Sequence, residues 1–513
     1  MPRVLLLATT TGYQTRAFGQ AAERLGVSLV FATDRCHMIE DPWRDAAIPI
    51  RFHDEDAAVD AIVDVARAAP FEGFVAVGDR PTVIAARVAE RLGLAGHPPD
   101  AAIAARDKEK TRQRLRDAGL AVPWFVSSRI DADPQALLST LRFPCVVKPV
   151  SLSGSRGVMR ADDAAQFLAA FTRLVALLRL PDVRAERNDA HERLLVEGFI
   201  QGRELAIEGL LHHGTLHTLA IFDKPDPLDG PFFEETIYIT PSTLGESDQH
   251  RVRTAVARAA TAIGLVHGPV HAECRVNERG VFVLEVAARP IGGLCARSLK
   301  FEQRAAPRLE LDAAAETVPL ARDTNGAHDM STPPSSSAGS SAASGAKTDR
   351  SQEPTTESTL ASGGSRSASP IADSRADSYA DSYLVSGFSR TAAPCSLEEL
   401  LLRHTLGESP DGWVREVRAS GVMMIPIPSR GVYRGVAGLD AARLVEGIED
   451  ITMTAKTDQL LVPLPEGASY LGFIFASGTT GAAVAQSLRE AHACLRFTVE
   501  PELRVLQSGH GAM

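Results

Sequence analysis

The chain has 513 residues, of which 44% are hydrophobic and 23% are charged, and its formal net charge at pH 7 is -10. Because single cores stop growing at about 250 to 300 residues, we expect several globular domains. The negative charge, with Lys and Arg scattered along the chain, argues against nucleic-acid binding. No run approaches the roughly 20 apolar residues that span a bilayer, and the first residues lack a signal-peptide cleavage site. We therefore expect a cytoplasmic protein with no membrane partner.

The cysteines are widely spaced, with no CxxC pair and no Cys/His cluster at zinc-ligand spacing. We interpret them as reduced core thiols, which suits a reducing compartment. The six are Cys36, Cys145, Cys274, Cys295, Cys395 and Cys494.

Residues 1–103 alternate apolar runs with helical patterns, which predicts a βαβαβ unit with a parallel, Rossmann-like sheet. The run VLLLA is typical of a strand buried on both faces. Asp34 ends the second strand, where dinucleotide-binding folds place a ribose-binding acid. The loop TTTGYQTRAFG lacks the GxGxxG spacing. We therefore interpret Asp34 as a turn residue.

Residues 323–385 are rich in Ser, Ala, Thr, Gly and Pro, a composition that buries too little apolar surface to fold. We predict a disordered linker there. Order is expected to resume at Ser396, which with Glu399 has the spacing of a capping box before a helix. Strand and helix patterns then alternate, so residues 386–513 are predicted to form a small α+β domain.

A Gly/Ser-rich segment, SLSGSRG at residues 151–157, follows the strand VVKP that carries Lys148. Backbone N–H groups of such a loop can fold over phosphate oxygens, and a lysine is a natural point charge for nucleotide phosphates. The alternative is a tight turn between two strands. Lys148, three residues before the loop, favours phosphate binding.

Glu273 in HAECRV and Glu285 in VFVLEVAARP lie on two strand patterns joined by the short turn ERG. Such a hairpin can bring both carboxylates to one face, where like charges repel. A shared divalent cation would compensate, and Mg²⁺ accepts one or two carboxylates together with phosphate oxygens. Pairing of the acids with Arg275, Arg289 or Arg297 is an equally good reading of the spacings.

Glu197 and Glu204 flank a short turn in VEGFIQGRE. Exposed backbone groups at such a strand end can contact an adenine edge, and a following acid can hold ribose hydroxyls. By itself the segment favours two solvated acids on a loop, and only the other two features make nucleotide binding the better reading.

Taken in this order, Lys108, the VVKP strand with its loop, VEGFIQGRE, HAECRV and LEVAARPIGG resemble the ATP-grasp superfamily over residues 4–300. The resemblance implies an α/β and α+β multidomain fold in which two lobes clasp ATP, with Mg²⁺ or Mn²⁺ as the metal. The implied domains are an N-terminal α/β (pre-ATP-grasp) domain at 1–103, a small lobe at 104–193, a large lobe at 194–322, the linker at 323–385 and the C-terminal domain at 386–513.

The resemblance also implies roles for individual residues. Arg289 would lie beside the transferred phosphate and the substrate carboxylate. Glu273 and Glu285 would be the metal ligands. The implied ATP contacts are Lys108, Lys148, Ser151, Ser153, Gly154, Ser155 and Gly157 for phosphates and adenine, Glu197, Phe199 and Ile200 for adenine, and Glu204 for ribose.

The AARPIGG form and the C-terminal segments GVMMIPIPSRGVYRGVAGLD and LLVPLPEGASYLGFIFASGTT are similar to those of the L-amino acid ligases. This implies an ATP-dependent carboxylate-amine ligase that forms amide or peptide bonds through an acyl phosphate, with small-molecule acid and amine substrates. The alternatives are activation of bicarbonate, as in carbamoyl-phosphate or carboxylase enzymes, and a non-catalytic ATP-binding regulator. A homodimer is the default assembly.

Two further residues and one departure bear on the chemistry. Ala287 stands where the usual Glu-x-Asn-x-Arg pattern has a metal-binding Asn. His271 should share the face of Glu273 and is a candidate for orienting substrate or for general-base catalysis. Lys224, on a polar segment, is expected to be solvated.

Overall fold

The computed structural model describes residues 1–9, 12–34, 47–303 and 394–502. Cys36, the predicted linker at 323–385 and part of the loop after the first strand lie outside these residues. The described segments belong to one folded unit.

A parallel sheet forms near the N-terminus because its strands are apolar enough to be covered on both faces. Its elements are β1 (Arg3–Ala8), α1 (Gly12–Leu25), β2 (Ser28–Asp34), β3 (Ile48–Ile50), α2 (Glu55–Ala68), β4 (Gly73–Val77) and α3 (Thr82–Leu92). The strand order is β3-β2-β1-β4, with parallel pairing throughout. Leu5 packs with Ile62 of α2 on one face, and Leu6 packs with Phe18 of α1 on the other. The predicted parallel sheet is confirmed.

Asp34 ends β2 and forms an ion pair with Arg51. It does not line the large cavity described below, which agrees with its interpretation as a turn residue.

Two helices lead from this sheet into a smaller antiparallel sheet. The elements are α4 (Pro99–Arg106), α5 (Lys108–Asp117), β5 (Phe125–Arg129), α6 (Pro134–Leu137), β6 (Cys145–Pro149), β7 (Met159–Ala161), α7 (Ala164–Leu178), α8 (Pro181–Arg184) and β8 (Arg193–Gly198). The order is β5-β8-β6-β7. β8, the segment LLVEG, pairs with β5 and β6. A division between lobes at 193/194 therefore falls inside a strand, β8, that the hydrogen bonds assign to the small sheet.

An eight-stranded sheet forms the other wall of the molecule. Its first five strands along the chain are β9 (Arg203–His212), β10 (Thr215–Asp223), β11 (Ile237–Thr240), β12 (Gly268–Asn277) and β13 (Gly280–Ala287). They lie in the order β13-β12-β9-β10-β11, and three strands from the C-terminal part of the chain complete the sheet beside β11. Helix α9 (Glu246–Ile263) connects β11 to β12, and β14 (Lys300–Gln303) belongs to a different sheet. The predicted hairpin at the ERG turn is β12–β13.

The C-terminal part contains the predicted alternation of strands and helices. Its elements are β15 (Cys395–Ser396), α10 (Leu397–Thr405), β16 (Trp413–Arg415), β17 (Ala419–Ile425), β18 (Gly431–Ala437), α11 (Leu439–Arg443), β19 (Ile448–Met453), β20 (Leu460–Leu461), β21 (Gly472–Gly478), α12 (Gly481–Cys494) and β22 (Arg496–Glu500). β17 pairs with β11, so this part continues the large sheet. Two three-stranded sheets, β15-β14-β16 and β20-β18-β22, complete the fold.

Helix α10 begins at the predicted capping box. The Ser396 hydroxyl accepts a hydrogen bond from the Glu399 N–H at 3.2 Å, and the Glu399 carboxylate accepts one from the Ser396 N–H at 2.7 Å. Two N–H groups that lack helical partners are thereby satisfied. In the part of the chain that is described, no helix is both long and apolar enough to cross a membrane.

The capping box gives a direct stability prediction. Ser396→Ala should lower the free energy of unfolding by about 1 kcal/mol, because the Glu399 N–H loses its acceptor. Chemical denaturation followed by circular dichroism measures this. Ser429→Ala, at an exposed loop position, is the control and should leave the midpoint unchanged; equal midpoints for the two variants would contradict the prediction.

Candidate active site

A cavity of about 640 Å³ separates the small sheet from the large one. Its lining includes Asp79 from the N-terminal sheet and Tyr470 from the C-terminal part. The sequence-predicted residues that line it are Lys108, Lys148, Ser151, Ser153, Gly154, Ser155, Glu197, Phe199, Ile200, Glu204, His271, Glu273, Glu285 and Arg289. Residues far apart in the sequence thus converge on one site.

Gly157 is the predicted residue that does not line this cavity. Its N–H donates to the Pro465 carbonyl at 2.8 Å, so it is not available to a phosphate. Its φ of +76° favours glycine, and a Cβ there would approach Leu174 to 2.9 Å. Gly157 therefore serves the packing of the loop.

Lys148 lies on β6, buried on the cavity wall, and shares the carboxylate of Glu197 with Arg112. Its Nζ donates to Glu197 Oε1 at 2.5 Å, and Arg112 donates to the same carboxylate through Nε at 2.8 Å. Burial lowers the pKa of Lys148 to about 8, although Glu197 opposes this. Burial acts to raise the pKa of Glu197, but Arg112 and Lys148 outweigh it and hold that pKa at about 2. The carboxylate therefore fixes the ammonium group of Lys148.

Lys108, the first residue of α5, connects the Gly/Ser loop to the large sheet. Its Nζ donates to the Leu152 carbonyl at 2.7 Å and lies 3.4 Å from Glu285 Oε2. In the loop, Gly154 and Ser155 adopt left-handed conformations, with φ of +63° and +55°. The loop backbone is thus bent where the sequence predicts a phosphate cradle.

Glu273 and Glu285 are directly opposite each other on β12 and β13. His271 and Ala287 form the pair two residues along, so all four share one face of the sheet. The predicted alignment of the two acids is confirmed. Ala287 itself has no metal-binding side chain, and the residue opposite it on the neighbouring strand is His271.

The His271 imidazole is held between two carboxylates. Its Nδ1 lies 3.1 Å from Glu208 Oε2, and its Nε2 lies 3.9 Å from Glu273 Oε1. Burial opposes protonation, but the hydrogen bond to Glu208 and the nearby carboxylate of Glu273 raise the pKa of His271 to about 9. His271 is therefore an imidazolium at neutral pH, which cannot accept a further proton.

Lys224 is not solvated, contrary to the sequence-based expectation. Its side chain is only 2% exposed, and its Nζ contacts three carboxylates at 2.5 to 3.0 Å. These belong to Glu204, Glu235 and Glu273. Burial opposes protonation, but the three acids hold the pKa of Lys224 well above its usual value. An ammonium group at this point neutralises acids on three neighbouring strands or loops.

Glu235 was missed by sequence reasoning. It accepts a hydrogen bond from Tyr238 Oη at 2.8 Å and lines the cavity. Burial and the nearby Glu273 raise the pKa of Glu235 to about 7. Burial also acts to raise the pKa of Glu273, but Lys224 and His271 outweigh it and hold that pKa well below its usual range. The segment that ends at Glu235, FDKPDPLDGPFFEE, has no periodic pattern that distinguishes this residue from its neighbours.

Arg289 is anchored to the N-terminal sheet rather than to either acid of the hairpin. Its guanidinium donates to both oxygens of Asp79, at 2.7 and 3.1 Å. Burial opposes ionisation of Asp79, but Arg289 lowers its pKa. Asp79 follows β4, and the carboxyl ends of parallel strands are where open α/β sheets bind ligands. The position of Asp79 just after β4 was therefore the signal in the sequence that could have identified it.

The predicted nucleotide-edge residues already have partners within the protein. Glu204 accepts from Arg275 Nε at 2.8 Å and from Lys224. The Ile200 carbonyl accepts from Arg275 at 2.6 Å, and the Phe199 N–H donates to the Pro144 carbonyl at 3.1 Å. Arg275 therefore joins this segment to β12 and is not a partner of Glu273 or Glu285.

The hairpin acids fit a divalent cation such as Mg²⁺. Glu273 contacts Lys224 through Oε1, and Glu285 contacts Lys108 through Oε2. Each carboxylate therefore has a second oxygen that could bind the cation. Hard oxygen ligands of this kind are those that Mg²⁺ prefers. Glu204, Glu235 and Glu273 also lie close enough to share an ion, but the Lys224 ammonium already contacts all three.

Three family models match consecutive parts of the chain. The ATP-grasp N-terminal domain matches residues 19–96, the ATP-grasp domain matches residues 141–298, and the L-amino acid ligase C-terminal domain 2 matches residues 423–500. The chain therefore contains an ATP-grasp domain at residues 141–298, and its C-terminal part resembles that of the L-amino acid ligases, as its sequence predicts.

Individual proteins agree with this assignment. Alanine–anticapsin ligase of Bacillus subtilis is 30% identical over 254 residues, 46% of this chain and 52% of that protein. D-alanine–D-alanine ligase of Cupriavidus taiwanensis is 26% identical over 294 residues, 55% of this chain and 82% of that protein. The aligned part thus spans about half the length of the anticapsin ligase. The L-amino acid ligase from Bacillus licheniformis has the same fold, with a TM-score of 0.68 at 23% identity over 98% of this chain and 99% of that one.

The environment of Lys224 predicts a large effect on stability. Lys224→Ala leaves three partly buried carboxylates without their shared cation and should lower the free energy of unfolding by about 3 kcal/mol. Chemical denaturation at neutral pH measures it. The deficit should shrink as the pH falls, because protonation removes the uncompensated charge.

Lys456→Ala, which changes an exposed lysine, is the matched control for this experiment. If Lys224→Ala were no less stable than Lys456→Ala, the three contacts would not carry the compensation assigned to them.

Proposed function

We propose that the protein is an ATP-dependent carboxylate-amine ligase that forms an amide or peptide bond through an acyl phosphate. The observation that carries this is the cavity itself, with Lys148 and the Gly/Ser loop on one wall and the Glu273–Glu285 pair on the other. Cationic groups and metal-binding acids that face each other suit transfer of a phosphoryl group between them.

In the proposed reaction, a substrate carboxylate oxygen attacks the γ-phosphorus of ATP and ADP leaves. The amine nitrogen then attacks the acyl carbon, the bond to the phosphate oxygen breaks, and the amine releases a proton. A carboxylate oxygen is a poor leaving group until it is phosphorylated. Bound Mg²⁺ would neutralise phosphate charge.

Residue roles follow from the positions described above. Lys108 and Lys148 would contact phosphates beneath the loop of Ser151, Ser153, Gly154 and Ser155. Arg289, held rigidly by Asp79, would orient the substrate carboxylate. His271, as an imidazolium, would hold Glu273 in place rather than act as the general base.

Adenine would lie against the segment that contains Phe199 and Ile200, with Glu197 and Glu204 beside it. Since both acids are already bonded to cations, we propose that they shape this end of the cavity in addition to contacting the nucleotide.

Amino-acid substrates are part of the proposal, supported by the names of the relatives. The proposal also retains a Rossmann-like N-terminal domain, domain limits near 103, 322 and 385, a cytoplasmic location and a homodimer, and it places the division between the two lobes after Gly198, at the end of β8. The described cysteines, Cys145, Cys274, Cys295, Cys395 and Cys494, are free thiols, which is consistent with a reducing compartment.

Turnover with pairs of amino acids tests the proposed reaction. When Mg²⁺, ATP, the right acid and the right amine are all present, the protein should release ADP and phosphate. Glu285→Ala should lower kcat at least about 100-fold, because a metal-binding carboxylate is lost. Coupled assays for ADP and phosphate measure this, and Glu446→Ala, at an exposed position, is the control. Release of AMP and pyrophosphate, or stimulation by bicarbonate alone, would contradict the ligase assignment.

The buried Lys148 predicts a pH dependence of ATP binding. Below about pH 8 its ammonium is charged and attracts phosphate; above that pH it is neutral in the free protein. Because bound phosphates favour the charged form, affinity for ATP should fall by up to about tenfold per pH unit above 8. Calorimetry at several pH values measures the fall. In Lys148→Arg the guanidinium remains charged, so this fall should disappear; an unchanged profile would assign the titration to another group.

A further inference from the structure

Several histidines gather at the end of the large sheet farthest from the cavity. They are His212, His213, His217, His267 and His404. β9 runs from the cavity residue Glu204 to His212, and eight residues at about 3.3 Å each make that separation roughly 26 Å. None of the five lines the described cavity. The cluster is therefore separate from the candidate active site.

The rings of the cluster are in contact. The centroids of His212 and His213 are 4.5 Å apart, those of His213 and His267 are 4.9 Å apart, and those of His267 and His404 are 4.4 Å apart. One nitrogen from each of His212, His213 and His267 lies within 4.8 Å of the others. Three imidazole nitrogens at this spacing need only small side-chain rotations to reach one ion.

His267 supplies the independent observation that points to a ligand. It is only 8% exposed, and its Nδ1 is buried with no hydrogen-bond partner among the described residues. A buried polar atom of this kind is destabilising unless something binds it. A small cavity of about 30 Å³ borders His267 and His404, which is room for a water molecule or an ion.

We propose that His212, His213 and His267, with His404 as a fourth ligand, bind a divalent transition metal of the zinc type. Imidazole nitrogen suits Zn²⁺, Ni²⁺ and Cu²⁺ and does not suit Mg²⁺. His212 Nδ1 and His404 Nε2 are 3.3 Å apart, and two nitrogens bound at about 2.0 to 2.1 Å in a tetrahedral site are separated by about 3.3 Å.

The protonation of the cluster supports this assignment. Burial lowers the pKa of His267 to about 4 and that of His404 to about 3, and it also lowers that of His212. These rings are neutral at pH 7, the form that binds metals. The neighbouring His97 is engaged at both nitrogens, by the Val266 N–H and the Pro269 carbonyl, and is not a ligand.

The metal would join three parts of the chain that are distant in sequence. His212 and His213 lie at the β9–β10 turn, His267 directly precedes β12, and His404 lies in the last turn of α10. Binding would therefore fasten α10 to the ends of β9 and β12 in the large sheet. The site is structural in this proposal and does not depend on the ligase function.

His213 offers a test variant that should not disturb folding. Its side chain is exposed, and its φ of +48° places it in a left-handed turn followed by Gly214. Asn before Gly is the favoured pair in such turns, so His213→Asn removes the imidazole while keeping the backbone. His250→Asn, at an exposed position on α9, is the control outside the cluster.

The experiment uses untagged full-length protein from which metals have been removed with a chelator. The protein is then dialysed against Zn²⁺ in the presence of excess Mg²⁺, because Mg²⁺ competes with Zn²⁺ for the carboxylates. Elemental analysis should find one Zn²⁺ per chain in the wild type and in His250→Asn, and Zn²⁺ should raise the Tm of both. In His213→Asn the affinity should fall at least tenfold, with an unchanged Tm in chelator. Co²⁺ in place of Zn²⁺ should give the visible absorption of a tetrahedral nitrogen site in the wild type.

Absence of stoichiometric Zn²⁺ in the wild type would overturn the proposal and leave the cluster as packed neutral rings. Equal Zn²⁺ affinity in His213→Asn and His250→Asn would overturn it as well, since the metal would then lie elsewhere. Neither result bears on ATP turnover, which is measured separately.

Discussion

The carboxylates of Glu273 and Glu285 face each other, and the surrounding structure is arranged to compensate the repulsion between them. Directly opposed like charges in a sheet are destabilising, and here they stand on adjacent strands at the wall of a cavity. Lys224, which follows β10, compensates one acid and Lys108, which begins α5, approaches the other. Because these cations come from different parts of the chain, the acid pair is accommodated only when both lobes are folded around it.

Two further ion-pair groups join separate elements at the same cavity. Arg112 of α5 and Lys148 of β6 share Glu197 of β8, and Arg289 pairs with Asp79 at the end of β4. Buried pairs of this kind add little net stability, because desolvation offsets their attraction. Their contribution here is geometric. Each fixes where a cationic side chain points, so the charges that would meet phosphate are positioned before ATP arrives.

Local patterns were enough to predict much of this arrangement. The two-residue period of strands placed Glu273 opposite Glu285, and the Ser396–Glu399 spacing located the start of α10. Lys224 was misjudged, because its burial depends on three acids that no short segment brings together. The pairing of Asp79 with Arg289 and that of β11 with β17 were missed for the same reason. Contacts between distant segments leave no periodic signal in either one.

The pairing of β11 with β17 also has a consequence for how the chain folds during synthesis. Thr240 pairs with Ser420, so the β11 edge of the large sheet has no neighbour on that side until the ribosome has made the much later β17. An unpaired edge invites association with other strands, and late long-range pairing is slow. The first part of the large sheet must therefore wait, with one edge open, until the residues of β17 have been made before its pairing is complete.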